Sequence, residues 1–586
     1  QEMKLEVHRI DSVYSRNGTD CGWEDYDPNR DIRGMKELAT KSTQKFAEWV
    51  LLLKRQFRRD GRYSLTEMEV KSPLIKEVLK EACDERAMDT AGATIPWPND
   101  KVFRYRGRIR EAAKKKSELA EKHCAVLLDY LLLEKNFAEK IRDIDDMFPK
   151  EVCTFNIARE LFFKDDLIFT KADGELRMFR VADEPQYVFG IIPSLVIPVY
   201  YIDYDGQKFG HVKTQLSIST FDDVQFIRDL PVVPMKYLVG RKDIETSLVA
   251  RGKRFTELAG QNYRSYCGVA GGLYIDSRVM IDTKTYNRRV STSKPIAVTA
   301  LSKKDINRKT LTRNELLICT PWIPFFSFAD KQFVVGKVDK VTEIVWNDNS
   351  FANLVLPDSQ KELVRILVEN HVSEQETFDD FVKGKGKGLI CVLHGPPGVG
   401  KTMTAESVAE HTKRPLYMIT SGELGSSPEK LEAELTKVLE LCKTWNAVLL
   451  LDEADVFMEQ RTSTDVVRNC LVSIFLRLLE YYQGILFLTT NRVGSFDEAF
   501  HSRIHIALHY RNLTSEARER IWRNFSGLLG DDKVELSDED YKELSKIVLN
   551  GRQIKNTFRT AKALSSEKGD KIRMQHLRIV LGVMSS

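Results

Sequence analysis

The chain has no apolar run approaching about 18 residues, the length that carries a helix across a bilayer. No apolar segment near its start reads as a signal-peptide core. It has little surplus charge: 89 basic against 85 acidic residues leave +4, too weak a field to draw the whole chain to nucleic acid. It has no C-x-x-C pair among Cys21, Cys83, Cys124, Cys153, Cys267, Cys319, Cys391, Cys442 and Cys470, and its ten histidines are dispersed, so no zinc spacing is present. An odd number of scattered cysteines reads as reduced, buried thiols in a reducing compartment, which places the protein inside the cell, in cytoplasm or nucleus. Because residue 1 is Gln, a targeting segment further upstream stays open.

What is present is a composition of 42% hydrophobic and 30% charged residues, that of a soluble globular protein. At 586 residues the chain is long enough for roughly three or four domains. The most specific stretch is GPPGVGKT, Gly395, Pro396, Pro397, Gly398, Val399, Gly400, Lys401 and Thr402, preceded by the apolar strand Leu389–Leu393 and followed by a predicted helix over 404–411. It fits G-x-x-x-x-G-K-[ST], whose glycines let backbone N–H groups face a phosphate while the next helix presents its positive end. Lys401 would bridge the outer phosphates of a nucleotide and the Thr402 hydroxyl would bind Mg²⁺, with Met403 adjoining on the helix. AVLLLDEAD, 447–455, is a buried strand ending in two carboxylates. Asp452 suits the Mg²⁺ shell and Glu453 suits a general base for an attacking water. GILFLTTN, 484–491, ends on Asn491, whose amide can orient that water. Arg503, in FDEAFHSRIHIAL, could reach a neighbouring subunit's terminal phosphate; an isolated arginine would sooner form a surface ion pair, but this order and spacing favour the former.

The remainder is less specific. Residues 1 to about 35 are polar and turn-rich, at Asn17-Gly18 and Asp27-Pro28, and 41–57 has an ambiguous period ending at a turn, Asp60-Gly61. The run 103–116 holds Arg104, Arg106, Arg108, Arg110 and Lys114 to Lys116 with Phe103 and Tyr105 between them. Such a mixture could grip nucleic acid, but acidic residues return at Glu118 and Glu121, so a solvated edge entering a helix is the better reading. Leu119, Ala120, Cys124, Leu127, Leu128 and Leu131 then recur at helical spacing. From 160 to about 335 short β-rich runs alternate with Gly and Asp turns, and Asp203 and Asp205 read as turn residues rather than metal ligands. A helix is predicted over 358–371. From 513 onward the pattern is helical: Thr514-Ser515-Glu516 reads as a helix start, Asn550-Gly551 as a stop, and Arg552 as opening a helix that faces the phosphates.

GPPGVGKT, LLLDEAD, TTN, SRI and GRQIKN, in this order, resemble the AAA+ ATPase family over 341–586. The resemblance implies a parallel five-stranded sheet of order 5-1-4-3-2 with a helical lid, binding ATP with Mg²⁺ at subunit boundaries of a ring, often a hexamer. It makes Lys401 and Thr402 Walker A, Asp452 and Glu453 Walker B, Asn491 sensor 1, Arg503 the arginine finger and Arg552 sensor 2. LFFKDDLIFT, YIDYDGQKFG, LVARGKRF, WNDNSFANLVLP and RNCLVSIFLRLLEYYQGILFLTTNR are similar to a group of AAA+ ATPases common in filamentous fungi, which carry a β-rich domain before the ATPase. Two departures stand out. SGELGSSPEK, 421–430, has no aromatic where peptide-threading members place one in the pore, and a single Ser502-Arg503 replaces an Arg-x-Gly-Arg pair.

The expected architecture is multidomain: a mixed α/β N-terminal region over 1–150, a mostly β domain of unknown function over 151–335, an α/β P-loop core with its leading linker over 336–512, and a helical lid over 513–586. The expected function is ATP hydrolysis coupled to remodelling or assembly of a protein partner held by the β-rich domain. The alternative is a nucleotide-gated scaffold or clamp-like binder of protein or nucleic acid, with slow, ligand-stimulated hydrolysis. No catalytic position is substituted as it would be in an inactive relative.

Overall fold

The computed structural model describes residues 3–14, 20–26, 46, 48–57, 63–83, 93–172, 174–290, 296–300, 310–351, 354–372, 388–461, 465–492, 496–530, 533–567 and 569–585. The turns expected at Asn17-Gly18, Asp27-Pro28 and Asp60-Gly61 lie outside them. The chain forms two compact units, Gln1–Tyr201 with Val212–Leu248, and Ile202–His211 with Val249–Ser586.

In the first unit, the ambiguous stretch is a strand, Trp49–Phe57, central in a five-stranded sheet with Lys4–Tyr14, Asp20–Asp25, Tyr63–Val70 and Thr94–Pro96. Helices Pro73–Cys83, Arg106–Lys116 and Glu118–Leu131 belong to the same unit. Of the periodic set on the last of these, Leu119 faces solvent while the other five residues are buried. The basic run is helical as expected, but Arg104 is not on a solvated face. It is buried, paired with Glu184 and donating to Phe162 O at 2.6 Å. A second, antiparallel sheet is built from Leu167–Ala172, Glu175–Val181, Ser194–Tyr204 and Phe209–Ser219. Its turn residue Asp205 accepts from the N–H groups of Gln207 and Lys208 at 2.8 and 2.9 Å, as a local turn carboxylate does. No group of three or more metal-binding side chains occurs among the described residues.

Helix Arg241–Glu257 interrupts the stretch read as β-rich. In the second unit an antiparallel sheet follows, of order Gln332–Lys337, Trp322–Ser327, Leu273–Ile281, Asn262–Ala270 and Val341–Thr342. The nucleotide-binding core has a parallel sheet of order Leu416–Thr420, Val448–Asp452, Ile485–Thr490, Leu389–His394, Ile506–His509, which is the expected 5-1-4-3-2 read from its other edge. Each central strand is apolar at nearly every position because both faces are covered. Ile390, Val392, Leu449, Leu451, Leu486 and Leu488 pack into one core, while Leu389, Cys391, Leu393, Val448, Leu450, Ile485 and Phe487 pack into another. Four helices end the chain: Ser515–Leu529, Asp538–Lys546, Gly551–Glu567 and Met574–Ser585. Thr514 caps the first, accepting from Ala517 N–H. Asn550 starts the third helix rather than stopping the one before: its side chain accepts from Gln553 N–H at 2.9 Å, and Gln553 reciprocates.

The antiparallel sheet of the second unit is tied to the parallel one through aromatic and polar contacts. Phe326 stacks on Tyr417 and lies 5.0 Å from the Trp445 ring. Trp445 Nε1 donates to Asp282 at 2.9 Å. Arg278 pairs with Glu410 at 2.5 Å, Arg289 with Glu440 and Lys331 with Glu423. The eight cysteines whose side chains are described are free thiols, and two of them, Cys267 and Cys470, are exposed rather than buried.

Candidate functional site

The site is assembled where three parallel strands end together. Leu389–His394 leads into the glycine loop, and its register sets His394 beside Thr490 and Leu393 beside Thr489. Gly395 has a φ of +146°, and a Cβ there would stand 2.2 Å from Tyr510 O, so no other residue fits. Gly398, at φ +75°, leaves no room for a side chain against Asn550, and its carbonyl accepts from Gly551 N–H at 2.8 Å. The lid is thereby fastened to the phosphate loop at the residue before Arg552. Helix Lys401–His411 starts immediately after the loop.

Lys401 is buried, and its ammonium donates only to oxygens: Gly395 O at 2.6 Å, Pro396 O at 2.9 Å and Asn491 Oδ1 at 2.7 Å. Burial holds its pKa below the usual lysine range, helped by the charge of Arg552, while Asp452 and Asp455 oppose the shift. Thr402 is half-buried on the first turn, and Met403 and Pro397 are exposed. Asp452 ends its strand, and Glu453 follows in a left-handed conformation, φ +56°. A non-glycine residue there is strained and needs support. The support is Thr489, a residue the motif reading passed over. Its hydroxyl accepts from the backbone N–H of Glu453 at 3.1 Å and donates to Asp452 Oδ1, so one buried side chain holds the Asp452 carboxylate and the backbone that carries Glu453. The Thr490 hydroxyl donates to Asp455 and accepts from Arg492 N–H at 3.1 Å. The TTN sequence carries the signal for both: hydroxyls at the end of an otherwise apolar strand.

The structure therefore brings together the loop from Gly395 to Thr402, Asp452, Glu453, Asn491 and the exposed Arg552. It sets Arg503 apart. That guanidinium pairs with Glu480 at 2.9 Å and donates to Ala499 O at 2.8 Å, and all its polar contacts lie outside the cluster around Lys401. Glu480 had no motif to announce it. The residues present fit a nucleoside triphosphate with a divalent cation. A buried ammonium satisfied only by oxygens that phosphates can replace stands beside a helix N-terminus, a hydroxyl and a carboxylate.

A parallel sheet of this strand order, with a glycine loop and two carboxylates at the ends of its central strands, defines a nucleotide-hydrolysing P-loop domain. Residues 391–512 match the model of the ATPase family associated with various cellular activities, so the chain carries an AAA ATPase domain, the kind that hydrolyses ATP. Residues 143–239 match a domain of unknown function, DUF7025. Among curated proteins, the human ATPase family AAA domain-containing protein 3B is 28% identical over 29% of this chain and 30% of its own length. The Arabidopsis thaliana ATPase family AAA domain-containing protein FIGL1 is 33% identical over 31% and 28%. The chain thus spans about three tenths of the length of these relatives. A crystal structure of the FIGL-1 AAA domain in complex with ADP covers 41% of this chain and 86% of its own, at 18% identity and a TM-score of 0.33. No described helix is long and apolar enough to cross a membrane.

Proposed function

We propose that the chain hydrolyses ATP as a subunit of a ring, a hexamer in the simplest case, and couples turnover to remodelling or assembly of a protein partner. The observation that carries this is the Lys401 cluster: a buried cation, Asn491, and a threonine that holds the Asp452 carboxylate and the Glu453 backbone. Lys401 exchanges its carbonyl partners for the outer phosphates of ATP. Thr402 and Asp452 would hold a Mg²⁺ ion, which would supply charge neutralisation at those phosphates. Glu453 accepts a proton from the attacking water, and Asn491 orients that water. Arg552, carried by the lid on Gly398, senses the phosphates from above. Arg503, outside its own site, serves the site of the next subunit, and Glu480 holds it ready. Glu453→Gln is expected to bind ATP and to hydrolyse none of it. Turnover by that variant would remove the assigned base.

One observation favours timed assembly over threading. Where a threading member would place an aromatic, this chain has Glu423, paired with Lys331, and Leu424, which is buried. A segment so engaged supports the upstream sheet instead of gripping a peptide. Slow basal hydrolysis stimulated by a partner follows from this second reading. Nucleic acid is the less favoured partner, because Arg104 in the basic run is buried and paired. Kinship with the fungal ATPases and an intracellular site, cytoplasmic or nuclear, belong to the same reading.

A further inference from the structure

Strand Gln186–Val188 is joined to strand Ser194–Tyr204 by Phe189, Gly190, Ile191, Ile192 and Pro193. Phe189 is 81% exposed and Ile191 wholly so, with Val188 and Ile192 exposed beside them. The chain leaves strand Phe209–Ser219 at the same end of the sheet, where Thr220 N–H donates to Pro193 O at 2.9 Å. The residues that follow add exposed Val224 and Phe226. Loops of this kind are ordinarily polar, so large apolar side chains gathered at one sheet end mark an interaction site. Their base is fixed. Tyr187 OH donates to Phe155 O at 2.7 Å, and the Phe155 ring meets Tyr187 and Phe221 edge-on at 5.2 and 5.8 Å. A crest already held in place loses little freedom on binding.

Charge selects the occupant. Asp222 and Asp223 lie exposed between the packed Phe221 and Val224, and the 189–193 loop carries no charge. Two guanidiniums stand near: Arg228 lies over the Phe226 ring at 4.7 Å and is followed by Asp229, and Arg159 donates to Pro185 O at 2.8 Å while paired with Asp100 at 2.5 Å. The crest is thus apolar and net acidic, which repels the anionic lipids that commonly recruit surface loops and suits basic groups. We propose that this crest, within the domain of unknown function, binds an apolar segment of a partner protein that carries lysine or arginine beside its apolar residues. This deepens, and rests on, the reading that the β-rich region recognises a protein.

The test uses the full chain and a short fluorescein-labelled peptide of Leu, Phe and Lys, with a second peptide in which Glu replaces Lys, titrated by anisotropy without nucleotide. The Lys peptide is expected to bind at least about tenfold more tightly than the Glu peptide. Phe189→Ser with Ile191→Ser should lose that binding, Asp222→Lys with Asp223→Lys should invert the preference, and ATP turnover should stay at the wild-type level in both. Equal affinity for the two peptides, no saturable binding, or undiminished binding by the serine variant would overturn the proposal. Crest-dependent binding to phosphatidylcholine vesicles without peptide binding would make the surface a lipid site and overturn it as well. Loss of ATP turnover in the wild type, with peptide binding intact, would instead sink the ATPase reading and leave this one standing.

Discussion

The two sheets of the second unit lie against each other and follow opposite rules. In the parallel sheet, both faces are buried and the candidate site lies at the ends of the strands, at Gly395, Asp452, Glu453 and Asn491. In the antiparallel sheet, polar residues along the strands and turns reach the parallel one: Arg278 to Glu410, Lys331 to Glu423, and Asp282 to Trp445. Glu410 closes the helix that Lys401 opens, and Glu423 follows the edge strand. One sheet therefore holds the site and the other holds the elements around it. Breaking each kind of contact should give a different failure.

The largest effect is expected at the strand ends. Lys401→Ala should lower turnover by at least about 10²-fold and weaken ATP binding, as removal of preorganised charge does; binding and turnover assays on the same preparation would separate the two losses. Thr489→Val comes next. It removes the hydroxyl that holds the Asp452 carboxylate and the Glu453 backbone, so turnover should fall about tenfold with ATP binding nearly unchanged, and Thr489→Ser should restore it. Unchanged turnover in the valine variant would detach Thr489 from the site.

At the joint between the sheets, the expected change is in stability rather than chemistry. Trp445→Phe leaves Asp282 with its bonds to Thr285 and Gln261 but without the indole N–H, for about 1–3 kcal/mol in a denaturant melt. Turnover of the folded fraction should stay as it was. The smallest effect concerns acid. Arg461, donating to Asp497 at 2.7 and 3.0 Å, holds that carboxyl below the usual aspartate range. The folded state therefore binds fewer protons there than the unfolded chain, and the stability so gained is present above the unfolded value, near about pH 4, and lost as pH falls through the folded one. Melts of Arg461→Ala and wild type should converge in that acid range and differ above it; a constant difference would contradict the assignment.

The same contrast explains what could be read from the sequence. The parallel core was legible because each strand is an unbroken apolar run ending in a residue type with few alternatives. Its strand order and helices follow as expected. The supports were not legible. Thr489 looks like any strand threonine, and Glu480 is a helix-end carboxylate until Arg503 folds against it. Asn550-Gly551 has the composition of a stop, yet the reach of Gln553 turns it into a cap. Helix Arg241–Glu257 was hidden by a weakly amphipathic, charged sequence between strands. Arg104 read as part of a basic surface because its partners, Glu160 and Glu184, lie far along the chain.

The role proposed for Arg503 is to complete the site of a neighbouring subunit. Arg503→Ala and Glu453→Gln should each abolish turnover alone, since one lacks the finger and the other the base. Mixed in equal amounts, they should recover a substantial part of wild-type turnover, because Arg503 of the glutamine variant can serve an intact Glu453 in the alanine variant. A mixture that stays inactive beside an active wild type, or an alanine variant that hydrolyses ATP unaided, would contradict the account.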